Sequence, residues 1–167
     1  FESHFPIFES DFSDHHLLLQ KMISIDQNAC IIPDSKNNYW YLGVGISQPR
    51  GVPRLNNAPW ETMVTVGDKI LGLNSEGKLC LMEPKGFQCV MKIALLPASL
   101  KTGKPGTIFA FNNQAIVGVE GNAATFLFFI DLIKGSHIWS KPFLIFEKNL
   151  NLDFRADVLF LTQKIQQ

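Results

Sequence analysis

A pattern that recurs about every 43 residues constrains this chain more than any other feature. In residues 22–32 an alternating stretch (Met22, Ile23, Ser24, Ile25) meets a polar turn at Asp26, Gln27 and Asn28, and an apolar run through Cys30, Ile31 and Ile32 follows. Residues 63–73 repeat it, with Gly67, Asp68 and Lys69 at the turn, and residues 108–119 repeat it again around Asn112, Asn113 and Gln114. A worn fourth copy starts near Asn151, with Leu152 and Phe154 before its turn and Val158, Phe160 and Leu161 after it. Alternation with a period of two marks strands, and Asn, Asp and Gly between them supply tight or left-handed backbone. Each copy therefore opens as a β-hairpin.

The first three copies continue alike. A second polar turn, at residues 34–38, 74–77 and 120–122, leads into a third apolar strand at 39–42, 79–82 and 125–130. In the third copy a further turn, residues 131–135, precedes His137, Ile138 and Trp139. Stretches 43–59 and 96–106, rich in Pro, Gly and Asn, read as loops between copies. Helical spacing appears only in residues 14–21, which is too short to shape the fold.

A meander of about four strands per 40 to 45 residues is what a propeller blade looks like. The run 128–139, with Phe128, Phe129 and Ile130 before Asp131, Gly135 closing the turn and Trp139 beyond it, resembles the blade ends of WD-repeat and quinoprotein-like β-propellers. The Gly-His and Trp-Asp dipeptides of regular WD repeats are absent, and Glu83, Pro84, Lys85 and Gly86 replace the aspartate region in the second copy. The resemblance implies an all-β chain of antiparallel meander repeats, a β-propeller or a propeller segment. A β-trefoil, also built from three units of this size, is the competing fold. Residues 1–20 read as a leader packing on the body, and 21–167 as one repeat-built domain. Under the propeller reading the fourth unit stops after two strands and leaves open sheet faces, here expected to carry Phe126, Phe128, Phe160 and Leu161. Such faces are normally covered. A homo-oligomer, or a piece of a longer propeller, is therefore expected, and an opening residue Phe1 suits a processed, trimmed or partial chain.

Composition narrows the function classes. Fifteen Lys and Arg against fifteen Asp and Glu give zero net charge, so no field recruits nucleic acid or an anionic surface. No apolar run is long enough to span a bilayer as a helix. Cys30, Cys80 and Cys89, an odd set at uneven spacing, read as buried structural thiols, and no N-x-Ser/Thr sequon occurs, which together lean towards the cytoplasm.

Candidate chemistry is sparse. His4, Glu9, Asp11, Asp14, His15 and His16 are interleaved with Phe1, Phe5, Phe8 and Phe12 and read as a solvated entry segment rather than a metal site. There is no G-x-S-x-G elbow and no phosphate-cradle context, so no cofactor is expected. Glu61, Glu83, Glu120 and Asp131 lie near strand ends, where turn chemistry accounts for them. Trp40, Trp60 and Trp139 all read as core between sheets, and Trp40 and Trp60 are in addition the candidates for exposed stacking on a sugar, a base or a partner's side chain. Arg50 and Arg54 are paired in a predicted loop, and arginine is enriched at binding hot spots. The sequence thus points to a non-enzymatic scaffold that binds a protein partner through its loops, with Arg50, Arg54, Trp40 and Trp60 as the binding set. A lectin-like trefoil and a fragment of a propeller enzyme are the alternatives.

Overall fold

A computed structural model describes residues 16–95, 106–121 and 124–145, and the backbone path of 150–155 and 158–163. The first sheet is β1 (Ile23–Ser24), β2 (Ala29–Pro33), β3 (Tyr39–Gly43) and β4 (Arg50–Gly51). The second is β5 (Trp60–Val66), β6 (Lys69–Asn74), β7 (Lys78–Met82) and β8 (Cys89–Ala94). The third holds β9 (Thr107–Phe111), β10 (Gln114–Glu120), β11 (Thr125–Asp131), β12 (Ser136–His137) and β13 (Phe143–Ile145), the last two sharing one edge of β11. β14 (Leu150–Arg155) and β15 (Val158–Gln163) form a hairpin. Every pairing among the described strands is antiparallel and, apart from β13 returning to β11, joins neighbours in sequence, so the repeat folds as a series of separate meanders. That arrangement is not the barrel and hairpin cap of a trefoil.

The turns do what their residues allow. Asn112 and Asn113 both adopt positive φ, +44° and +60°, as a type I′ turn requires. Gly67, at +60°, supplies the left-handed step between β5 and β6. The second turn is built on a buried polar residue. Asp34 Oδ1 accepts the backbone N–H of Lys36 and of Asn38, and Asn74 Oδ1 accepts those of Glu76 and Lys78. Both side chains are almost fully buried, so each must meet its hydrogen bonds within the turn or the adjoining loop.

The first strands β1, β5 and β9 contact one another in succession, which places them innermost, as in a propeller wheel. Two apolar layers separate the three sheets. Ile31, Tyr39, Trp60, Met63, Ile70 and Met82 fill the layer between the first and second. Leu71, Leu73, Leu79, Val117, Phe128 and Ile130 fill the layer between the second and third. β6 serves both, which explains its run of consecutive apolar residues: Ile70 faces one layer, Leu71 and Leu73 the other. Burying side chains of this size stabilises by roughly 1.5–3 kcal/mol each. Gly72 lies between them because the Trp60 ring rests on it, and a Cβ there would fall 2.8 Å from two ring carbons.

Several expectations change. Phe128 is buried in the second layer with Phe126 packed beside it, so neither lines an open face; the side chains of Phe160 and Leu161 lie outside the described residues. Trp139 is 37% exposed and meets Phe129 edge-on at 5.3 Å, because the outer strand breaks after His137 and restarts at Phe143. Cys80 and Cys89 are a disulfide, leaving Cys30 as the free thiol. The β7–β8 hairpin brings their Cα atoms to 5.7 Å, within bridging range. Disulfides persist in oxidising surroundings, which removes the cysteines as a ground for a cytoplasmic leaning. The described end of the leader joins the first sheet: Leu18 N–H donates to Pro33 O, and Ser35 N–H donates to His16 O. A single 3₁₀ turn, Leu19–Lys21, interrupts it before β1. Among the described residues no helix is long and apolar enough to cross a membrane.

Candidate functional site

The four residues singled out in the sequence converge on the junction of the first two sheets. Arg50 pairs with Tyr41 across β3 and β4. Its guanidinium lies 5.1 Å from the Tyr41 ring centroid and 5.2 Å from that of Phe87, and Nη2 donates to Pro84 O at 3.4 Å. Tyr41 and Phe87 meet edge-on at 5.6 Å, so an aromatic pair spanning both sheets holds an exposed cation in place. Phe87, buried at positive φ of +54°, reaches this position from the β7–β8 turn.

Arg54 and Trp40 are joined through a network that the sequence reading missed. Arg54 Nη2 donates to Asn38 Oδ1 at 2.9 Å. Asn38 Nδ2 and Trp40 Nε1 each donate to Asp34 Oδ2 at 3.1 Å. Burial alone would raise the Asp34 carboxyl, but the N–H groups of Asn38, Trp40 and Lys36 hold it below the usual carboxylate range. Trp40 is half-buried, and a Cβ on the facing Gly51 would touch its ring.

Trp60 is placed differently from the other three. Its ring is 2% exposed, and it reaches the loop by donating Nε1–H to Pro53 O at 2.9 Å. Asn74 Nδ2 donates to Leu55 O at 3.2 Å from the same side. Both hold the segment that carries Arg54 from beneath. The signal that could have exposed this network was the polar spacing of Asp34 and Asn38 around the turn; Phe87 carried none, lying 37 residues from Arg50.

Glu61 stands apart. The β5–β6 register shifts between Trp60 and Thr62, so Glu61 is the extra residue of a β-bulge at the head of the innermost strand. Its Oε2 is buried without a hydrogen-bond partner, and burial pushes the carboxyl up to about 7. Turn chemistry does not account for it, in contrast to Asp131, whose Oδ1 accepts the N–H groups of Ile133 and Lys134. Among the described residues no cluster of His, Cys, Asp and Glu could hold a metal ion.

No protein-family model and no curated protein sequence matches the chain. Solved structures do. The structure of apo AztD from Citrobacter koseri superposes with a TM-score of 0.54 at 11% identity, over 86% of this chain and 38% of that one. The computationally designed Ika4 protein superposes at 0.56 and 8% identity, over 85% of this chain and 88% of that one. The Neurospora crassa Pan2 WD40 domain gives 0.49 at 10% identity, over 74% and 38%. The chain thus spans well under half the length of AztD. At these identities the likeness shows the fold alone. With all-antiparallel sheets and the likeness to AztD, the chain has an all-β fold of propeller type.

Proposed function

We propose that this chain is a propeller-built scaffold, without catalysis of its own, that engages a protein partner through the short outer strand β4, which carries Arg50, and the loop after it, which carries Arg54. The observation that carries the reading is the held guanidinium: Arg50 is exposed yet fixed between Tyr41 and Phe87. A cation already ordered loses little side-chain entropy on binding, and arginine pairs well with carboxylates at interfaces. Arg54 and Trp40, ordered through Asn38 and Asp34, extend the surface, and Trp60 positions it from below. The test compares wild type with the Arg50→Ala, Arg54→Ala double variant as bait for extracts of its source, read by quantitative mass spectrometry. Partners retained by wild type and lost at least about tenfold by a still-folded variant are expected, since hot-spot truncations cost about 2 kcal/mol or more. An unchanged set of partners refutes the reading.

A second reading, as part of a propeller enzyme, has Glu61 in its favour: a carboxyl titrating near neutrality on an innermost strand suits proton transfer. Loss of a turnover in Glu61→Gln, with the fold intact, is what would establish it.

A further inference from the structure

The disulfide and the arginine loop meet in one piece of structure. Cys80 lies on β7 and Cys89 opens β8, and the turn between them carries both groups that hold Arg50 from the second sheet: the Pro84 carbonyl and the Phe87 ring. Apart from the Phe87 ring, which is buried in the layer between the first two sheets, the turn has few other ties among the described residues. One backbone bond closes it, Glu83 N–H to Gln88 O at 3.2 Å. Gly86 and Phe87 are consecutive left-handed residues, at +84° and +54°, and Phe87 has a side chain that disfavours that conformation. Cys89, two residues beyond Phe87, is the covalent anchor. Cys80, Cys89, Phe87 and Tyr41 all belong to the layer between the first two sheets.

We propose that the Cys80–Cys89 disulfide is a redox-controlled tie on the Arg50 loop, so that a dithiol reductant releases the guanidinium from its aromatic seat. The chemistry is ordinary exchange. A thiolate of the dithiol attacks the Sγ of Cys89, the half-buried residue of the pair, and the thiolate of the fully buried Cys80 leaves. The second thiol of the reductant resolves the mixed disulfide, and the Cys89 thiolate leaves. Two electrons pass to the protein, the dithiol becomes a disulfide, and both cysteines end as thiols after taking up protons. The freed turn lets Phe87 relax from its left-handed conformation, and Arg50 loses the ring and the carbonyl together.

This regulation rests on the loop being the binding surface, but its test reads the loop without a partner, so either can fail alone. Trypsin cleaves after Arg50, and a short pulse on the native chain reports how often that bond opens. Reduction by dithiothreitol, verified by a rise from one to three titratable thiols, is expected to speed cleavage after Arg50 at least about tenfold. Cleavage after Lys69 and Lys134 stays unchanged. The Cys80→Ala, Cys89→Ala variant cleaves at the fast rate with or without dithiothreitol. An unchanged Arg50 rate after verified reduction overturns the proposal. So does an equal rise at all three sites, which would mean that reduction loosens the whole fold rather than the loop.

Discussion

Replacing Glu61 by Gln removes an ionisable group that the fold holds neutral, and its effect on stability has a sign and a pH window. The carboxyl is pushed by burial from 4.5 to about 7. Between those values the unfolded chain has released its proton while the folded chain retains it, so stability falls as pH rises from about 4.5 to about 7 and levels off above. A difference of that size corresponds to roughly 3 kcal/mol at about 1.4 kcal/mol per pH unit. Glu61 is only half-buried, and solvent screening reduces the effect to about 1–2 kcal/mol. The substituted amide would be neutral throughout and fill the same bulge. Urea unfolding of wild type and Glu61→Gln in half-unit steps from pH 4 to 9 measures this directly. The two curves should coincide near pH 4 and diverge above it, with the variant more stable by about 1–2 kcal/mol at pH 8. A difference that stays constant across the range, or a variant less stable at pH 8, would refute the reasoning.

Two further outcomes follow from the core and its turns. Gly72→Ala should destabilise by about 1–3 kcal/mol, since its Cβ would meet the Trp60 ring at 2.8 Å in a layer with no room to yield; urea unfolding that matches wild type would exclude the contact. Asp34→Ala should destabilise by about 2–4 kcal/mol, because four donors from Lys36, Asn38 and Trp40 lose their acceptor. The lowered carboxyl adds a pH signature: the stability Asp34 contributes is present above its unfolded value and is lost as pH falls through the lower folded one, so acid unfolding of wild type should steepen there and that of the variant should not.

Where the sequence was legible, local chemistry decided the structure. Asn112 and Asn113 announce their turn because few residues other than Gly tolerate two left-handed steps, and the alternation on either side sets the hairpin register. Period and turn residues together place the first hairpin of every described sheet and the third strand of the first three. Outer strands were less legible. β4 is two residues inside a Pro- and Gly-rich stretch, and β13 follows Pro142 after a break, so neither shows enough alternation to be read. The disulfide was hidden for a related reason. Cys80 lies opposite Lys92 and Cys89 opposite Met82, across a register shift between Leu81 and Met82 that no residue pattern marks. Glu61 reads as a turn residue in the sequence because a bulge, unlike a turn, has no residue signature.

The arginine pair shows how far local reading can reach. Arg50 and Arg54 stood out because they were scarce, but what fixes them comes from elsewhere: Tyr41 from the neighbouring strand, Phe87 and Pro84 from the next sheet, Asn38 from a turn, Trp60 from the core beneath. Each of these has a structural duty as well. Phe87, Tyr41 and Trp60 fill the layer between the first two sheets, and Asn38 takes part in the turn that Asp34 organises. The arginines are therefore held through residues that also pack the blades, and a substitution at Phe87 or Trp60 would lower stability and disorder the arginines together. Arg50 and Arg54 themselves are exposed, so their removal tests the surface while sparing the core that presents it.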